Sequence, residues 1–137
     1  MDRRILLIGL LCAIIASLLM PADAEAKKKK KVVRYQAEFT AYYPSDSTME
    51  GGYKDAVGRP LDPSEYVIAA PKCFPIGTKV KLGGIGDWRD GHTYEVRDRG
   101  QAIVVEEDGL VHIDILMATY EQTDDFGRVR GWIEVEE

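Results

Sequence analysis

Read for its hydrophobic and polar positions, the chain alternates over several short stretches and shows a helical period in only one place. Val32 to Pro44 (VVRYQAEFTAYYP) is rich in β-branched and aromatic residues and reads as a first strand. YVIAA, ending at Pro71, and PIGTKVKL give two more strands, and TYEVRD, AIVVE, LVHIDI and RGWIEVE complete the series. Asp108-Gly109 between AIVVE and LVHIDI is a hairpin signal. Leu116 to Gly127 (LMATYEQTDDFG) reads as helix, with Gly127 as its stop. The pattern predicts an all-β domain of about six short strands and one short helix, a small closed or sandwiched fold. Between the first strand and YVIAA runs SDSTMEGGYKDAVGRPLDPSE, a Gly/Pro/Asp/Ser-rich loop of the kind that carries function.

The N-terminus departs from this pattern. An arginine pair, an apolar run from Ile5 to Met20 and then small residues follow the layout of a secretory signal peptide. Cleavage after Ala24 or Ala26 fits the small-x-small rule. The expected division is a signal peptide over 1–24, a lysine-rich tether over 25–33 and one domain over 34–137. The product is expected to be secreted, extracellular or cell-wall associated. Beyond the leader Cys73 is the only cysteine, so the core must hold the domain without a disulfide, and Cys73 reads as a small apolar filler.

Charge is unevenly laid out. Lys27 to Lys31 form a run expected to touch anionic wall or membrane surfaces or simply to solubilise the linker, whereas Val32 to Glu137 carries 11 Lys and Arg against 20 Asp and Glu. So acidic a domain lacks the basic footprint that nucleic acids require, and nucleic-acid binding is excluded. Nothing in the pattern calls for a second subunit, and a monomer is expected.

Two aspartates stand out. In VHIDI, period-two alternation puts His112 and Asp114 on one face and Val111, Ile113 and Ile115 on the other. If the apolar face lines a barrel interior, His112 and Asp114 face outward, into a groove or solvent. Asp is disfavoured in strands, so Asp114 calls for a local use. Asp98 ends TYEVRD, where alternation groups it with Tyr94 and Val96. Paired carboxylates equip a protein to cleave glycosidic bonds, one donating a proton and the other supporting an oxocarbenium-like transition state. Arg97 and Arg99 are expected to keep one aspartate ionised while the other holds its proton. Thr40, Tyr42, Tyr43 and Tyr53 offer a hydroxyl and rings suited to sugar faces. His92 and His112 show no metal-ligand spacing, and no metal or organic cofactor is expected. His92 reads as solvated in a turn.

The order FTAYY, GRPLDP, VIAAPKCFPIGTKVKL, YEVRDRG, HIDI and FGRVRGWIEV resembles the three-aspartate (3D) cell-wall domain. That family is a double-psi β-barrel related to membrane-bound lytic transglycosylase A, rare lipoprotein A and the expansins. The resemblance spans about Tyr35 to Val135 and implies a six-stranded double-psi β-barrel with one short helix. By position the family's second and third aspartates fall on Asp98 and Asp114, and its first-strand threonine on Thr40. The first aspartate falls on Ala70, a departure from the family. RDRG is closer to rare lipoprotein A and the expansins. The implied activity is a lytic transglycosylase acting on peptidoglycan, with Asp98 and Asp114 as the catalytic pair. Thr40, Tyr42, Tyr43, Arg97, Arg99, Gly100 and His112 would contact the substrate, peptidoglycan or another wall polysaccharide. Two alternatives stay open: an expansin-like module that binds or loosens the wall without cleaving it, favoured by Ala70, and an inverting glycoside hydrolase.

Overall fold

The computed structural model describes residues 28–46 and 52–137. The expected signal peptide lies outside the described residues. Six strands and one helix are present among them: β1 (Val32–Tyr42), β2 (Val67–Ala69), β3 (Lys79–Gly83), β4 (Thr93–Asp98), β5 (Val111–Leu116), α1 (Tyr120–Phe126) and β6 (Val129–Glu136). The strands close into a barrel in the order β1-β5-β2-β4-β3-β6, with β6 returning to β1. The β1/β5 and β2/β4 pairs are parallel, and the other four are antiparallel. The all-β, six-stranded barrel with one short helix is therefore the fold the pattern predicted.

Alternation decides which side chains fill it. Val111, Ile113 and Ile115 of β5 pack inside with Phe39, Ile68, Val80, Leu82, Val96 and Ile133, while His112 and Asp114 stay half-buried on the outer wall. The expected division of the VHIDI faces holds. Where β1, β3 and β6 converge, Gly131 has no substitute: a Cβ there would lie 2.3 Å from the Gly83 carbonyl oxygen and 2.9 Å from the Phe39 ring. A second, smaller cluster of Tyr42, Leu61, Val67, Ala69 and Leu116 forms under the loop that precedes β2.

Several expectations are corrected. AIVVE is not a strand. It makes one bridge, Val105 to Val111, and Val104 accepts one bond from the His112 N–H at 3.0 Å. The physical reason is that β1 occupies one edge of β5 and β2 takes the other from Asp114 onward, which leaves AIVVE only Val111 to Ile113 to pair with. The helix is shorter than Leu116 to Gly127, because Leu116 pairs with Tyr42 in the barrel and the Met117 N–H bonds the Tyr42 carbonyl at 2.8 Å. It starts where Thr119 caps it, accepting from the Gln122 N–H at 3.2 Å while the Gln122 side chain reaches back to the Ala118 N–H at 2.9 Å. Val32 and Val33 open β1 as the strand reading from Val32 expected, so the tether boundary at residue 33 falls two residues too late, and Lys31 exchanges two backbone bonds with Glu137 at 3.1 and 2.8 Å. Cys73 is exposed rather than a core filler. The Pro71–Phe74 turn, closed by a 3.0 Å bond, presents Cys73 outward and buries Phe74 in its place.

Candidate active site

Register builds the site. Thr40 of β1 is paired with Asp114 of β5, Asp114 with Ala69 of β2, and Ala69 with Asp98 of β4. These four residues form one row across four neighbouring strands. Asp98 joins it only through a bulge: Ile68 faces Val96, yet the next residue, Ala69, faces Asp98. The extra residue, Arg97, turns Asp98 out of the Tyr94–Val96 alternation, which corrects the expected face. Ala69 puts no more than a methyl between the two aspartates, whose strands stand two spacings, roughly 10 Å, apart.

Two hydroxyls orient the carboxylates. Thr40 Oγ1 donates to Asp114 Oδ1 at 3.1 Å, and the Tyr42 hydroxyl donates to Asp98 Oδ2 at 3.2 Å. The Arg99 backbone N–H donates to Asp98 Oδ1 at 2.9 Å. Asp98 is 9% exposed, and burial pushes its carboxyl above the ordinary aspartate value. The Arg99 N–H and the Tyr42 hydroxyl pull it down, the Asp55 charge raises it again, and the Arg99 charge opposes most weakly. Burial and then Asp98 raise the Tyr42 hydroxyl pKa strongly, so it stays a neutral donor.

The expected substrate contacts are only partly gathered here. Thr40 and Tyr42 belong to the site. The two arginines expected to tune Asp98 through their guanidinium groups are turned elsewhere. Arg97 is buried and pairs with Glu65 and, at 3.8 Å, with Asp55. Arg99 donates to the carbonyls of Ala70, Pro71 and Phe74 at 3.0, 3.3 and 2.7 Å. Arg99 and Gly100 line a cavity of about 740 Å³ with Pro71, Cys73, Ile103 and Val105, but neither aspartate reaches it. His112 lies on the outer face of β5 with Asp114, yet its nitrogens face Glu38 at 3.5 Å and Glu106 at 2.8 Å. The Tyr43 ring packs edge-on against Tyr120, centroids 5.9 Å apart. Tyr53 is exposed. His92 is not simply solvated but sits in an aromatic group with Tyr66 and Trp88, each 5.7 Å away.

Two residues acquire a meaning that sequence did not provide. Ala70, where the resemblance places the first aspartate, is fully buried in the barrel core, so that position does not face the row. Asp55 lies in the loop before β2 with nothing in the pattern to single it out, yet it is buried beside Arg97 and acts electrostatically on both Tyr42 and Asp98. Its only sequence signal is a turn-forming aspartate three residues before Gly58. Among the described residues no group of three or more His, Cys, Asp or Glu side chains is arranged to hold a metal ion. The chain matches no protein-family model and no curated protein among those compared with it.

Proposed function

We propose that this chain is a secreted peptidoglycan lytic transglycosylase of the three-aspartate type, built on a double-psi barrel. The observation that carries the reading is the row Thr40–Asp114–Ala69–Asp98, which sets two unlike carboxylates on one outer face with a small residue between them. Burial favours the neutral form of Asp98 and so makes it the proton carrier of the pair. Asp98 gives its proton to the bridging oxygen between N-acetylmuramic acid and N-acetylglucosamine as the bond from that oxygen to C1 breaks. The Asp114 carboxylate, oriented by Thr40, stabilises the positive charge that develops at C1. Ionised Asp98 then takes the proton of the C6 hydroxyl as its oxygen closes on C1. The product is a 1,6-anhydro ring, formed without water, and the acid form of Asp98 is restored.

A second reading, a wall-binding or loosening module of expansin type that leaves bonds intact, is favoured by the burial of Asp98 and by alanine at position 70. Digestion of purified peptidoglycan with the mature chain, followed by mass spectrometry, separates the readings. Anhydro-muropeptides are expected. Reducing-end products would mean hydrolysis, and undiminished sacculi that retain bound protein would mean the second reading.

A further inference from the structure

We propose that Asp55 is the third carboxylate of this site, a buried positioning residue that acts on Asp98 from the loop docked over β4. The inference rests on Asp98 being a reacting carboxylate.

The loop is anchored where it matters. Lys54 and Pro60 form a bridge, the Asp55 N–H bonds the Arg59 carbonyl at 2.8 Å, and the Ala56 N–H bonds the Arg97 carbonyl at 3.2 Å. This docks Asp55 over the bulge that turns Asp98 outward. Asp55 Oδ1 accepts from the Val57 and Arg59 N–H groups at 3.0 and 2.9 Å, which is all the turn requires. Asparagine would serve that turn equally well. The second oxygen, Oδ2, is buried, makes no hydrogen bond and faces Arg97 Nε at 3.8 Å. Arg97 Nε likewise lacks a hydrogen bond, and the Arg97 guanidinium is shared with Glu65.

A full carboxylate is thus buried where the turn needs only one acceptor oxygen. Burying surplus charge without hydrogen bonds is unfavourable, so a use outside the turn is implied. The groups around Asp98 identify it. Tyr42 donates to it from β1, Asp114 stands on β5 across Ala69, and Asp55 acts on it from the loop, while Arg97 before it on β4 and Arg99 after it turn their guanidinium groups away. Arg97 is the only one of these two arginines aimed at a carboxylate, and the carboxylates it faces are Asp55 and Glu65. Asp55 therefore adds negative charge beside Asp98, and Arg97 sets how much of it Asp98 feels.

The test is a carbon-13 titration of the Asp98 side-chain carboxyl, read without substrate, in the wild type and in Asp55→Asn and Arg97→Gln. Asp55→Asn should lower the Asp98 midpoint by about half to one pH unit, and Arg97→Gln should raise it by a similar amount. A purely structural pair predicts something else: either change would loosen the loop, wet Asp98 and lower both midpoints. Two downward shifts, or none, would overturn the proposal. Arg97→Lys keeps the charge and should leave the midpoint at the wild-type value, and it covers the case in which Arg97→Gln does not fold. Opposite shifts without any cleavage of peptidoglycan by the wild type would sink the enzymatic reading and leave the Asp55 coupling standing. With cleavage, the alkaline limb of the rate profile should move with the Asp98 midpoint in each variant.

Discussion

Glu38 and Asp98 are both buried carboxylates on the wall of one barrel, in adjacent outward-facing rows, and they differ in the cations that reach them. Glu38 lies opposite His112 and accepts from Arg128 and, at 3.0 Å, from Arg130, so its pKa is lowered, chiefly by the Arg128 hydrogen bond. One row further along, Asp98 has a phenol and a backbone N–H as donors, and burial raises its pKa. Closeness in sequence does not decide which carboxylate is neutralised. Arg97 and Arg99 flank Asp98 along the chain and turn away from it, whereas Arg128 and Arg130 reach Glu38 from about 90 residues away. A compensated carboxylate holds strands together; an under-compensated one keeps a proton available for chemistry.

The largest effect that can break this contrast is on activity. Asp98→Asn and Asp114→Asn should each slow release of anhydro-muropeptides by about 10²- to 10⁴-fold, the usual worth of a positioned acid or base. Glu38→Gln, one row away, should stay within a few-fold of the wild type. Equal losses at Glu38 and Asp98 would mean that both rows are structural.

How much of this was legible follows from what sets each feature. The β5 faces were readable because Val111, Ile113 and Ile115 alternate strictly with His112 and Asp114, and alternation is a local property. The resemblance singled out Thr40, but its place beside Asp114 depends on the β1/β5 register, which joins residues 74 positions apart and leaves no local mark. The placing of Asp98 was misread, since a one-residue bulge at Arg97 inverts the face and leaves no mark in TYEVRD. AIVVE has strand composition, but whether it pairs depends on which edges of β5 are already taken. Asp55 was invisible for a similar reason. Sequence shows a turn aspartate, and only packing shows that its second oxygen is buried against Arg97.

A smaller change sharpens the contrast within the active row. Tyr42→Phe removes the hydroxyl that favours ionised Asp98 while keeping the ring in its cluster with Leu61, Ala69 and Leu116. The Asp98 pKa should rise further, and the alkaline limb of the rate profile should move to higher pH. The rate should fall about 10-fold, because the acid form persists but is no longer oriented. A profile that stays in place would show that Tyr42 acts on Asp98 by packing alone.

The smallest effect is on stability, and its sign should reverse between the two rows. Glu38 is held below its ordinary value of 4.5, so its contribution is present above that value and is lost as pH falls through the folded pKa. Glu38→Gln should therefore be less stable than the wild type at pH ~7. The loss should be only about 1 kcal/mol because Arg128 and Arg130 are solvent-exposed, equivalent to about 4–8 °C in a domain of this size. Asp98 is held above its ordinary value of 3.8, so its stabilising contribution is complete below that value and is lost as pH rises through the folded pKa. Asp98→Asn removes the burden of an ionised, buried carboxylate while its amide can still accept from the Arg99 N–H and donate to Tyr42. It should melt above the wild type at neutral pH and level with it at about pH 3, while the gap between Glu38→Gln and the wild type should narrow as pH falls below 4.5. Circular-dichroism melts at the two pH values read both signs. If Asp98→Asn is the less stable variant at neutral pH, Asp98 is a compensated structural carboxylate like Glu38, and the proton assigned to it must be sought on Asp114.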